Sequence, residues 1–151
     1  MDGKRTLDFV PALSDWNAQL IEQPLPADAD DALARLEHAI TLCADTSCRT
    51  LADLDRLDGK YTAITIKLDK AGGLTEALAL AAEAKRRGLR IMVGGTIGRS
   101  LGIVPALLVA QLAEIIDLAV PLHLISDRVP GLHYEGSTIQ PPEPSLWGGP
   151  S

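Results

Sequence analysis

From Ala18 onward, short apolar runs alternate with amphipathic stretches of helical length, the pattern of β-α-β units around a parallel sheet. The pattern predicts strands over residues 18–22, 41–45, 63–68, 90–93 and 115–120. Each is short and nearly continuously apolar, as a strand covered on both faces must be. Between them, Asp28 or Asp30 is expected to cap a helix over DDALARLEHA, and Thr50 with Asp53 a helix over LADLDRL. The clearest helix is TEALALAAEAKRR, with Glu76 near its start, Lys85, Arg86 and Arg87 near its end, and Gly88 placed for a left-handed cap. A further helix is expected to begin near Pro105, a residue tolerated only in a first turn. The Pro- and Gly-rich tail is expected to be an extended closing segment.

The predicted strands end in ionisable residues. Glu22, Asp45 and Lys67 are 23 and 22 positions apart, and Asp117 follows 50 positions later, room for two more units. No sequence repeat accompanies this period, so it reflects architecture. The fold class expected is α/β: a partial (β/α) TIM-type barrel of about five parallel strands over residues 1–140, with a separate tail over 141–151. In such a barrel reactive groups gather at the C-terminal ends of strands, so these four positions carry more weight than charges within helices.

Two carboxylates on neighbouring strand ends repel unless a cation or proton intervenes, and oxygen ligands of this kind suit Mg²⁺. Glu22 and Asp45 are therefore candidate metal ligands; singly, each also reads as a solvated loop carboxylate. Lys67, within the alternating run AITIKLDK, must either be desolvated or reach a polar cavity. Desolvation and nearby cations lower a lysine's pKa, which makes Lys67 a candidate base, the alternative being an edge-strand lysine pointing to water. Asp117 suits a substrate-orienting role or a simple turn carboxylate. The segment from Gly94 to Gly102, with Arg99, offers backbone N–H groups for an anion but matches no standard phosphate or dinucleotide motif. His38, His123 and His133 have no partner at ligand spacing and are assigned structural roles.

Composition narrows the field. A length of 151 residues with 46% hydrophobic and 23% charged positions suits one globular domain. A net charge of −6 and only one Phe, two Trp and two Tyr supply neither the basic stripe nor the stacking platform of a nucleic-acid binder. The first residues contain no apolar leader segment, which gives a cytoplasmic expectation. The longest apolar stretch, 101–125, is broken by Pro105, Gln111, Glu114, Asp117 and Pro121, so no membrane span is expected. Cys43 and Cys48 are too few for a disulfide framework and are expected to be reduced thiols.

Taken together, LIEQPLP, CADTS, ITIKLDKAGGLTEAL, IMVGGTIGRSLG and GLHYEGSTIQPPEP resemble the C-terminal barrel of the enolase superfamily, of the mandelate racemase/muconate lactonizing enzyme type. Within it they are most similar to the dipeptide epimerases that act on L-Ala-D/L-Glu in cell-wall peptide metabolism. The resemblance implies a Mg²⁺-dependent isomerase performing a 1,1-proton transfer at the α-carbon of a dipeptide. By matching motif, Glu22 and Asp45 fall on metal ligands and Lys67 on one of two acid/base lysines. Asp117 falls on the first acid of the D-L-D motif that holds the dipeptide's amino group. The resemblance also implies a capping domain and three further strands upstream, including a Lys-x-Lys strand and a third metal-ligand Asp. The chain is therefore expected to be N-terminally truncated, with part of the site.

It departs from the family pattern at Thr46, where D-E-S is usual, and at Ala119 and Val120, where D-L-D-G is usual. Five strands cannot close an eight-stranded barrel, so marginal stability or self-association is expected. Two other functional readings follow: a non-catalytic remnant that binds a cation or associates with other chains, which is preferred for the activity of the isolated chain, and an anion-binding module built on the Gly94–Gly102 loop.

Overall fold

The computed structural model describes residues 10, 12–36 and 40–149; His38 lies outside them. Its centre is a curled half-barrel of five parallel strands, β1 (Leu20–Glu22), β2 (Thr41–Ala44), β3 (Ala63–Ile66), β4 (Arg90–Gly94) and β5 (Ile115–Asp117), paired in chain order. All five predicted strands are present; four of the ladders are shorter than expected, and β4 runs one residue further, to Gly94. Lys67 continues the extended path one residue past β3, and Leu68 already begins the short helix α1 (Leu68–Ala71). Residues 118–120 likewise leave β5 and lead into a 3-10 turn, Val120–His123.

The period of two along each strand divides the sheet into two faces. Ile21, Leu42, Ala44, Ile64, Ile66, Ile91 and Val93 join the main core against the helices. That core is completed by Ala77, Leu80, Ala81 and Ala84 of α2 (Leu74–Arg86) and by Ala106 and Val109 of α4 (Ala106–Ala110). The opposite face carries a thin apolar layer of Leu20, Cys43, Ala63, Met92 and Ile115. Two residues further along each strand direction come Glu22, Asp45, Thr65, Gly94 and Asp117, and after Thr65, Lys67. The register couples these positions, pairing Thr65 with Met92 and Gly94 with Asp117.

Several local expectations are borne out. Helix α2 ends at Arg86 and is followed by Gly88 at φ +75, a left-handed conformation glycine adopts without strain. Pro105 precedes α4, after the four-residue helix α3 (Ser100–Ile103). Thr50 and Asp53 form a capping box, with the Thr50 N–H donating to Asp53 Oδ2 at 2.9 Å, although the segment Leu51–Leu57 is a 3-10 helix.

Two expectations are corrected. Neither Asp28 nor Asp30 caps the next segment: Ala29 takes the cap position without a side-chain bond, and a 3-10 helix runs over Asp30–Arg35. Asp30 turns inward because Ser47, Lys60 and Tyr61 all donate to its carboxylate. The tail is not simply extended. Thr138–Ile139 (β7) pairs antiparallel with Tyr134–Glu135 (β6), after which the chain turns and buries Leu146. Among the described residues no helix is long and apolar enough to cross a membrane.

Candidate active site

The strand-end cluster forms where three neighbouring strands terminate on the thin apolar face. Lys67 Nζ lies 3.1 Å from Asp45 Oδ2 and 3.4 Å from Glu22 Oε1, so two carboxylates converge on one ammonium. Lys70, one turn further on in α1, donates to both oxygens of Asp45 at 2.8 and 3.0 Å. Thr65 Oγ1 donates to Glu22 Oε1 at 2.9 Å, and Cys43 Sγ lies 3.2 Å from the same hydroxyl. The repulsion expected between Glu22 and Asp45 is thus relieved by two lysines.

Burial by itself pushes the Asp45 carboxyl up, but the hydrogen bonds and charges of Lys70 and Lys67 outweigh it and hold the group below its usual range. The effect on Lys67 overturns the expected lowering. Burial pulls its ammonium down, yet the hydrogen bond to Asp45 and the charges of Asp45 and Glu22 prevail and hold it above its ordinary value. In this arrangement Lys67 is a charged partner of the carboxylates.

Asp117 lies on the same face by register, beside Gly94, whose other neighbour is β3. Its side chain is exposed at the end of the edge strand, and it lines a cavity of about 450 Å³ with Tyr134 and the β6–β7 turn. The structure therefore unites Glu22, Asp45 and Lys67 directly, and holds Asp117 on their face outside the hydrogen-bonded cluster.

Comparison with known proteins extends this geometry. Residues 1–143 match the family model described as Enolase C-terminal domain-like. The chain belongs to this family. Over 140 residues it is 46% identical to an N-acetyl-D-glutamate racemase of a Pseudoalteromonas species, covering 93% of this chain and 44% of the relative. It is 43% identical over 122 residues to the L-Ala-D/L-Glu epimerase of Escherichia coli, covering 81% and 38% respectively. Among solved structures, an Agrobacterium tumefaciens enolase family member with homology to dipeptide epimerases, bound to sodium and L-Ala-L-Glu, superposes with a TM-score of 0.90. That match has 52% identity and covers 93% of this chain and 43% of the other. Other solved dipeptide epimerases were complexed with Mg and a dipeptide. The chain spans less than half the length of these relatives.

Within this enolase-type half-barrel, the donor set fits a hard cation in part. Glu22 and Asp45 supply carboxylate oxygens, the ligand type Mg²⁺ favours, and both are directed at the Lys67 ammonium. Among the described residues, no group of three or more His, Cys, Asp and Glu gathers to hold a metal.

Two functional neighbours escaped the sequence reading. Lys70 carries a signal, since it stands three positions after Lys67 and α1 brings both to Asp45, but only if a helix is known to start at Leu68. Gln23 carries none: its amide oxygen accepts the backbone N–H of Asp45 at 2.8 Å and of Ser47 at 3.1 Å, a contact between separate strands.

The Gly94–Gly102 loop does not offer its helix start to an anion. The N–H of Ser100 donates to Asp127 Oδ1 at 3.0 Å, its hydroxyl donates to Asp127 Oδ2, and α3 is four residues long. A carboxylate from the chain itself already holds that position.

Proposed function

We propose that this chain carries part of the active site of a Mg²⁺-dependent epimerase or racemase, with Glu22 and Asp45 as metal ligands, Lys67 as an acid/base and Asp117 as a substrate-orienting group. The observation that carries the reading is the convergence of Glu22 and Asp45 on Lys67 Nζ at a common set of strand ends. The substrate is a dipeptide such as L-Ala-D/L-Glu or, more broadly, a glutamate whose amine is acylated. That class is supported by what the names of the two curated relatives share: the nitrogen of glutamate carries an acetyl group in one and an alanyl group in the other. Ala119, where the family resemblance implies a second acid facing a dipeptide ammonium, favours the member without that ammonium.

Glu22 and Asp45 would hold Mg²⁺, which when bound would supply Lewis-acid stabilisation of the charge that develops on the substrate carboxylate. Lys67 would take the α-proton as its neutral amine, which requires release of its hydrogen bonds to Asp45 and Glu22. The carbanion is then reprotonated from the opposite face to invert the centre. The implied donor for that step belongs to a Lys-x-Lys strand, a pattern absent from the 151 residues. Strands β1 and β5 each pair on one side only among the described residues, so both edges remain available to further strands or a second copy.

A second reading, that the 151 residues bind a cation or associate without turnover, is favoured by that missing pattern and by Ala119. Deuterium incorporation from solvent at the α-carbon of L-Ala-D-Glu and N-acetyl-D-glutamate, with Mg²⁺, separates the two. The chain is assayed alone and together with an enolase-family amino-terminal half. Exchange in the combined sample supports the epimerase, and exchange by neither sample removes it. Turnover by the chain alone removes the second reading.

A further inference from the structure

Behind the strand-end lysine and carboxylates lies a buried polar chain. Gln23 directly follows Glu22 and adopts φ +43, a left-handed conformation that a non-glycine side chain enters at a cost. What this conformation achieves is visible in the amide. Its oxygen accepts two backbone N–H groups from the segment after β2, those of Asp45 and Ser47. Its nitrogen donates to Leu25 O at 2.6 Å, Ser47 Oγ at 2.7 Å and Tyr61 OH at 3.0 Å.

The orientation is fixed by what lies beyond. Ser47 Oγ and Tyr61 OH each donate to Asp30 Oδ2, at 2.6 and 3.1 Å, so both hydroxyls can only accept from Gln23. Asp30 is anchored in turn by Lys60 at 2.7 Å. Asp30, Ser47 and Tyr61 are all nearly fully buried, so no water replaces a lost partner without rearrangement. A carboxylate at position 23 would set a second oxygen against the Leu25 carbonyl and toward Asp30, and an apolar side chain would leave two N–H groups unpaired.

We propose that Gln23 is a positioning residue that fixes the backbone of Asp45, and with it the spacing between the carboxylates of Glu22 and Asp45 that receives the cation. The inference rests on the cation site under Proposed function. Because Gln23 neighbours Glu22 in sequence and holds Asp45 through space, one side chain links the two strand ends independently of Lys67. Outer partners of this kind typically change metal affinity by roughly 10–100-fold when removed.

The test uses the 151-residue chain with Gln23→Met, Gln23→Glu and, as a control for general destabilisation, Leu80→Ala in the core of α2. Two quantities are read: amide hydrogen exchange at Asp45 and Ser47 without added metal, and the Mg²⁺ dissociation constant from NMR shifts of the Glu22 and Asp45 amides. Both Gln23 variants are expected to lose about ten-fold in protection at the two amides, the worth of one net hydrogen bond. They are also expected to bind Mg²⁺ at least ten-fold more weakly, while Leu80→Ala keeps wild-type affinity. Wild-type protection at Asp45 in both variants overturns the proposal, as does unchanged Mg²⁺ affinity or an equal loss in Leu80→Ala. A wild-type chain with no Mg²⁺ response overturns the cation site itself, and the exchange measurement then decides whether Gln23 holds Asp45.

Discussion

Gly94 gives Lys67 its path across the sheet: a Cβ at Gly94 would lie 2.8 Å from Lys67 Cε and 3.0 Å from Thr65 Cγ2. The Lys67 end is flexible and can yield, whereas Thr65 is β-branched and fixed in its strand. The strain of any side chain at position 94 therefore falls mainly on the position of the lysine nitrogen.

For Gly94→Ala the expected result is a folded chain in which Lys67, the proposed acid/base, is displaced. A displacement on the order of 1 Å at a reacting group costs roughly 100-fold in rate. Solvent deuterium exchange at the substrate α-carbon, in the combined sample described above, measures it. An unchanged rate would show that Lys67 does not need the space left by Gly94.

Lys70→Met tests how charge is shared at Asp45. Since Lys70 contacts both oxygens and its hydrogen bond helps hold the Asp45 carboxyl below its usual range, its removal should raise the Asp45 pKa. Carboxyl-carbon NMR across acidic pH reads this directly. No upward movement would mean that Lys67 alone sets the ionisation of Asp45.

The Asp30 network predicts a pH dependence of stability. Burial pushes Asp30 up, but the hydrogen bonds from Lys60 and Ser47 overcome it and hold the carboxyl below its ordinary value of 3.8. A depressed carboxyl contributes stability that is present above the unfolded pKa and lost as pH falls through the folded one, so the loss develops below about pH 4. Lys60 runs the other way. Burial pulls it down, its bonds to Asp30 and Asp31 raise it overall, and its contribution is lost as pH rises past 10.5. Asp30→Asn should destabilise the chain by about 2–3 kcal/mol at neutral pH and flatten the acid limb of its melting curve. Thermal melts from pH 2 to 8 provide the check, and an acid limb as steep as that of the wild type would refute the assignment.

Both cysteines should be unreactive in the folded chain. Burial pushes the Cys43 thiol up to about 11 and Cys48 up to about 12, so neither forms appreciable thiolate near neutral pH. Thiol titration with a chromogenic disulfide should proceed only as the protein unfolds, two groups per chain. Rapid reaction of either thiol in native buffer would contradict the buried placement.

The strand and helix alternation, and the face on which the site is built, were legible because both follow from local periodicity. Once residues 18–22, 41–45, 63–68, 90–93 and 115–120 read as strands, period two and strand order put Glu22, Asp45, Lys67 and Asp117 on one side. The capping box at Thr50 and Asp53 and the left-handed Gly88 were legible for the same reason, since their partners lie within one turn. The Asp30 cap failed because a carboxylate beside a helix start can serve the backbone or a distant donor, and three distant donors won.

By itself the sequence determined the kind of sheet, the set of strand-end groups and their common face, all consequences of spacing along the chain. Tertiary structure alone decided which groups touch. The ammonium of Lys67 reaches Glu22 across 45 positions, and the amide of Gln23 reaches the N–H of Asp45 across 22. Such contacts depend on strand register and on the competition between burial and pairing, and neither is written in any local pattern. The same competition set the direction of the Lys67 pKa: burial pulls the ammonium down, and the two carboxylates brought beside it by the register hold it above its ordinary value.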